Sequence, residues 1–386
     1  MKRLFTVLIA AALFLCASFP QAAVLAEALP AESDHLSTGE IGVLCNPEFG
    51  STYLEPSIEE FNAMGFAYGD SLDFAFDNGI LLEDVPYFSG YYVPVGHLVL
   101  SAYLGYPHPT LARNFGTATW AEFGLNDNSR VTVTLNEKGK YIQVEELYSL
   151  TYSLDPADYD SVYAYTNFRE LRGGRMKPRT LYRSCSPCDC AKNRARAAAA
   201  SRICEEFGIR FVLNLCDPRE KYEEYTSLEG FDSPYYDTLA RNGDVLFTGL
   251  NADFHTESYT KTVCDALLTM AGHEGPCLIH CTEGKDRTGF VSILLLTLAE
   301  ASPEDIITDY MISYQNFYGI TRENNPRRYE AMLPDVDSYF EFLCGTDDWT
   351  GFSPEQLCRF TENYLRKGGL TDEQIGRIEA WIREDS

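Results

Sequence analysis

"PCLIHCTEGKDRTGFVSILLL", residues 276–296, reads as an apolar strand, a short polar loop with one glycine, and an apolar helix. The strand closes on His280-Cys281 and the helix opens at Arg287-Thr288. A cysteine six positions before an arginine is by itself no signal, because the chain carries that spacing four times, from Cys188, Cys190, Cys204 and Cys281. The first three lie at or inside an alanine-rich helical pattern over about 190–207, where a six-residue step puts two side chains on opposite faces. Cys281 alone follows an apolar strand, at the carboxyl end where open α/β sheets place their ligands. Gly284 lets the loop turn tightly, and the following helix aims unpaired N–H groups into it. The result is an anion cradle with a thiol at its base.

Such a cradle has a specific chemistry. Loop amides and a neighbouring arginine favour the thiolate, which makes Cys281 a candidate nucleophile. A phosphoryl group held by those amides and by a bidentate Arg287 would face the sulfur in line, and the same donors would stabilise its equatorial oxygens in the transition state. The leaving oxygen then needs a proton and the phosphocysteine an activated water. Asp286 is the nearest carboxyl for both tasks.

Outward from the loop, the chain divides by texture. Residues 1–28 have a secretory signal-peptide pattern: Lys2-Arg3, the apolar run "LFTVLIAAALFLC", then small residues. A secreted or extracytoplasmic location is expected, with cleavage near Ala26 or Ala28. Residues 29–150 are rich in Tyr, Phe, Gly and Asn/Asp and read as a β-rich accessory domain, barrel or sandwich. "RVTVTLNEKGKYIQV" there has the alternation and glycine turn of a hairpin. Residues 151–386 alternate strands ("TLYRS", "IRFVLNL", "PCLIH") with helices near 190–207 and 257–273, the α/β pattern of a mostly parallel sheet. From about 302 the tail is helical, with capping signals at Ser302, Ser353 and Thr371.

Composition limits the partners. The 386 residues are 45% hydrophobic and 23% charged, as in a folding chain, and carry a formal net charge of -26. That field repels nucleic acid and anionic lipid, so neither nucleic-acid binding nor stable membrane association is expected, and any phosphate chemistry needs a local electropositive pocket. Eleven of the 12 cysteines lie beyond the leader. In an exported chain an odd number predicts disulfides plus one free thiol. The cluster "CSPCDC" at 185–190 also leaves open a redox or metal-binding role.

The stretch "HCTEGKDRTG" resembles the signature of the protein tyrosine phosphatase superfamily, and in particular of the atypical secreted bacterial tyrosine/lipid phosphatases. "NFRELRGGRMKPRTLYRS" at 167–184 and "GIRFVLNLCDPRE" at 208–220 resemble further segments of that family, so that the similarity covers about 160–300. It implies a tyrosine-phosphatase-like sheet flanked by helices with a helical C-terminal lid. It also implies Cys281 as nucleophile, Arg287 as phosphate clamp and Asp286 as acid/base. Lys285, similar to the loop lysine of tensin-type phosphoinositide phosphatases, is an extra contact to anionic substrate. Thr282, Glu283, Gly284 and Thr288 complete the cradle, Thr288 assisting departure of the thiolate, and His280 supports the loop. No metal or cofactor is expected. The substrate would be a phosphorylated protein, lipid or inositol phosphate. The chain departs from the family at Glu283, where a small residue is usual, and at Glu170, Asn214 and Cys216, which replace two aspartates and an arginine. Asp217 is a spare carboxylate. Two other readings stay open on sequence alone: a phosphate-loop protein that binds without turnover, and a secreted thiol oxidoreductase using "CSPCDC".

Overall fold

The computed structural model describes residues 36–384 except 47–48, 95, 104–105, 115 and 252–253; the leader pattern lies outside these residues. The chain divides into two compact units, Met1–Leu150 and Thr151–Ser386.

In the first unit seven strands close a barrel in the order β1-β2-β6-β5-β4-β3-β7. They are β1 (Ser37–Cys45), β2 (Thr52–Leu54), β3 (Ser71–Phe76), β4 (Leu81–Phe88), β5 (Leu98–Ser101), β6 (Thr110–Arg113) and β7 (Arg130–Glu137). Closure hides the strand edges, and alternate residues such as Leu72, Phe74 and Phe76 of β3 and Val131 and Val133 of β7 fill the interior. Short helices α1 (Ile58–Ala63), α2 (Thr119–Glu122) and α3 (Ile142–Tyr148) connect or follow the strands. Helix α3 corrects the expected hairpin: "RVTVTL" is a strand, but its second arm is helical. Gly139 turns the chain at φ +66°, Tyr141 N–H donates to Gly69 O, and the buried Glu145 accepts from Ser89 N–H and Oγ–H. Those tertiary bonds outweigh the alternation of a five-residue arm.

The second unit is a five-stranded sheet in the order β11-β10-β12-β9-β8, from β8 (Arg169–Glu170), β9 (Leu181–Ser184), β10 (Phe211–Asn214), β11 (Val245–Phe247) and β12 (Cys277–His280). All pairings are parallel except β8–β9. The three inner strands are buried along their whole length; β10 and β12 accordingly read as apolar runs up to Asn214 and His280, whereas β9 buries the polar Arg183 and Ser184. Helices α4 (Val162–Tyr165), α5 (Cys190–Glu206), α6 (Arg219–Ser227), α7 (Pro234–Asn242) and α8 (Glu257–Met270) precede or connect strands, and α9 (Asp286–Leu298) follows β12. From Thr288 onward α9 is buried on all sides. It runs among the C-terminal helices α10 (Pro303–Tyr318), α11 (Pro326–Cys344), α12 (Pro354–Lys367) and α13 (Asp372–Ile382). Phe290 of α9 meets Tyr339 and Tyr364, and Thr297 Oγ1 lies 2.6 Å from Thr361 Oγ1. Ser302, Ser353 and Thr371 form the expected capping boxes. Among the described residues no helix is long and apolar enough to cross a membrane.

Candidate active site

Strand β12 delivers the thiol. His280 is paired with Ser184 of β9 on one side and Asn214 of β10 on the other, so Cys281 emerges between two neighbouring strand ends and is 3% exposed. The chain must then reverse within four residues to start α9 at Asp286. Gly284 makes this possible at φ +72°, where a Cβ would sit 2.1 Å from the carbonyl oxygen of Ser184. Conformation and close approach both demand glycine.

What turns the loop amides inward is a set of donors behind it. Arg183 Nη2 donates to the carbonyls of Gly284 at 2.7 Å and Lys285 at 3.3 Å, and Asn167 Nδ2 to those of Glu283 at 3.1 Å and Gly284 at 3.3 Å. In a trans peptide the C=O and the next N–H point opposite ways, so three carbonyls held outward direct the N–H groups of Gly284, Lys285 and Asp286 toward the cradle. Asp309 of α10 anchors these donors. It pairs with Arg183 and, at 2.9 Å, with Arg169, all three side chains being buried. Burial and the adjacent Arg183 pull Arg169 down to about 10. Burial pushes the other way on Asp309, yet the two arginines hold its carboxyl below the usual carboxylate range.

Arg287 completes the cradle. Its Nη1 donates to Leu250 O at 2.8 Å and its Nη2 to Thr282 Oγ1 at 3.1 Å. Burial opposes its charge, but the neighbouring Cys281 and Cys216 leave its pKa raised. Thr288 Oγ1, in the first turn of α9, is buried without a hydrogen-bond partner among the described residues. Below, His280 Nε2 lies 3.1 Å from Tyr236 Oη, which accepts from Asn214 Nδ2, and Asn214 Nδ2 also donates to Asp217. Burial depresses His280 to about 4, so the ring supporting Cys281 is neutral at neutral pH.

Residues 161–385 match the model of the tyrosine phosphatase family. The chain belongs to that family. It is 40% identical over 132 residues to a tyrosine-protein phosphatase of Nostoc commune, covering 32% of this chain and 44% of that protein. A second relative, from Cupriavidus necator, is 29% identical over 163 residues, covering 37% of this chain and 56% of its own. The chain thus spans about half the length of these curated relatives. The crystal structure of P. aeruginosa TpbA is 18% identical and covers 59% of this chain and 94% of that one at a TM-score of 0.23.

In this tyrosine phosphatase family member the expected loop residues Cys281, Thr282, Glu283, Gly284, Lys285, Asp286, Arg287 and Thr288 form one contiguous turn, with His280 beneath. Asp286 is half exposed and accepts from Lys285 Nζ at 2.7 Å. Glu283 is committed to Lys192 Nζ at 2.8 Å and Tyr152 Oη at 2.6 Å. Glu170 and the spare carboxylate Asp217 are engaged elsewhere. Glu170 accepts from Arg172 and from Arg179 N–H, while the buried Asp217 accepts from Asn214, Cys216 and Tyr225. Asn167, Arg169, Arg183 and Asp309 had no assigned role in the sequence reading. The first three lie in the family-like "NFR" and "LYRS" segments, which could have suggested one.

The cysteines require a correction. Cys45, Cys185, Cys188, Cys190, Cys204, Cys216, Cys264, Cys277, Cys281, Cys344 and Cys358 are all free thiols, so the structure holds none of the expected disulfides among the described residues. Most are buried and pack as small apolar side chains. The "CSPCDC" cluster does not suit a redox site, which needs an accessible thiolate. Burial pushes the Cys185 thiol up to about 12, and raises Cys188 and Cys190 as well.

Proposed function

We propose that the Thr151–Ser386 unit is a cysteine-dependent phosphomonoester hydrolase working through a phosphocysteine intermediate. The observation that carries this reading is the juxtaposition of buried Cys281 with a loop whose carbonyls are held outward by Arg183 and Asn167. With the amides turned inward and Arg287 alongside, the phosphoryl oxygens gain donors that strengthen as charge accumulates in transfer. The sulfur attacks phosphorus, the ester oxygen leaves with a proton from Asp286, and water assisted by the resulting carboxylate cleaves the P–S bond. The partnerless hydroxyl of Thr288 supplies a hydrogen bond to the departing thiolate. The leader pattern of residues 1–28 supports action outside the cytoplasm.

The test is hydrolysis of nitrophenyl phosphate by wild type and Cys281→Ser. The variant keeps the cradle but offers an un-ionised hydroxyl, so turnover should fall at least about 10³-fold while phosphate still binds. Residual turnover within tenfold of wild type would remove Cys281 as nucleophile.

A further inference from the structure

Besides Arg183, which holds the carbonyls from behind, three cations stand at the loop: Lys192 from the first turn of α5, Lys285 and Arg287. Two of them are already matched by carboxylates. Lys192 Nζ is 2.8 Å from Glu283 Oε1, which also accepts from Tyr152 Oη. Lys285 Nζ is 2.7 Å from Asp286 Oδ1 and 4.9 Å from the centroid of the Tyr314 ring, whose hydroxyl bonds Asp335. The Lys285 side chain is only 14% exposed. Among the described residues Arg287 meets no carboxylate, its partners being the Leu250 carbonyl and the Thr282 hydroxyl. The surroundings between Glu283 and Lys285 are aromatic. Tyr152 packs on Phe317 at 4.9 Å and on Tyr318 at 5.9 Å, and Tyr318 on Tyr314 at 5.7 Å.

We propose that Glu283 is a specificity-determining residue: by holding Lys192 in an ion pair at the loop, it confines the site to esters bearing a single phosphoryl group and turns away multiply phosphorylated ones. This rests on the phosphatase reading and narrows its substrate class. One dianion is served by the loop amides and Arg287. A second phosphate beside it needs another free cation, and finds instead a lysine already matched by the Glu283 carboxylate, while the nearby Arg196 is buried and turned to Ser153 O and Tyr159 Oη. Repulsion from that carboxylate acts through a half-buried rim, where charges interact more strongly than in bulk water. The pair is itself well formed. Burial disfavours the carboxylate, but Lys192 and Tyr152 hold Glu283 below the usual glutamate range. The overall charge of -26 works in the same direction. The aromatic strip offers an apolar contact for the ring of an aryl ester.

The experiment uses the full chain with two substrates, a phosphotyrosine peptide and inositol 1,4,5-trisphosphate, and reads the ratio of their kcat/KM values. Inhibition of peptide hydrolysis by inositol hexakisphosphate measures polyanion binding independently of turnover. In Glu283→Gln the ratio should shift toward the trisphosphate by about tenfold, and hexakisphosphate should inhibit about tenfold more strongly, because a carboxylate is lost and Lys192 is freed. Glu283→Ala serves as a second variant should the glutamine form fold poorly. Adding Lys192→Met to either should return both readouts toward wild type. A ratio and an inhibition constant within twofold of wild type in both Glu283 variants would overturn the proposal, as would a wild-type preference for the trisphosphate. If wild type hydrolyses neither substrate nor nitrophenyl phosphate, the phosphatase reading itself falls and this inference with it.

Discussion

Asp309→Asn is the sharpest perturbation of the scaffold behind the loop. It preserves shape and removes the counter-charge of two guanidiniums, Arg183 with a side chain 1% exposed and Arg169 with one 10% exposed. Breaking a buried pair by deleting one partner costs about 3–5 kcal/mol, because the remaining charge is stranded. For a unit of this size each kcal/mol moves the midpoint by about 2–4 °C, so scanning calorimetry of the full chain should show a fall of about 6–20 °C in the transition of the Thr151–Ser386 unit. Glu170→Gln is the comparison. The Arg172 partner of Glu170 is 77% exposed, and its loss should cost under about 1 kcal/mol. A second readout separates stability from site geometry. Arg183 also holds the Gly284 and Lys285 carbonyls, so repulsion between the two arginines should loosen the cradle and raise KM for an aryl phosphate at temperatures where the variant is folded. A midpoint shift below about 2 °C together with an unchanged KM would refute the assignment of Asp309 as anchor of the loop.

Two further outcomes are expected. His280 is depressed to about 4 by burial, so the folded state binds fewer protons than the unfolded chain between there and about 6.5. Stability from this residue is complete above the unfolded value and is lost as pH falls through that window, by up to about 3 kcal/mol. Urea unfolding across the window should be steeper in pH for wild type than for His280→Gln, and identical slopes would show that the ring charges freely in the native state. Asp286→Asn should lower kcat by about 10²–10⁴ on an alkyl phosphate, whose leaving group needs the proton, and far less on nitrophenyl phosphate. Equal losses on both would reduce Asp286 to a loop-shaping residue paired with Lys285.

The loop could be read because its parts are consecutive: strand end, thiol, glycine turn and helix start lie within 276–296, and each has a local signature. The barrel was half legible. Texture and alternation identified β structure, but the arm after β7, which is helical, depends on bonds to Gly69 and Ser89, which no local window contains. The cysteine count was no guide to pairing, since the number of thiols in a sequence says nothing about which of them meet with the geometry a disulfide needs.

The donors behind the loop show where more could have been extracted. Asn167 and Arg169 meet α10 across about 140 positions, too far for any periodicity to link them. Each end nevertheless carries a local anomaly. In α10 the buried positions Ile306, Tyr310, Ser313, Tyr314 and Phe317 follow helical spacing, and Asp309 falls on the same face. In "TLYRS" Arg183 occupies an inner strand that reads as buried on both faces. A carboxylate on an apolar helix face and an arginine inside a core strand each demand an opposite charge, because neither can be buried alone. Two such demands of opposite sign in one domain are most simply met by each other. The chain has a second arginine to spare, Arg169, so the pair becomes a triad with net positive charge. That excess stands behind a loop built to hold an anion.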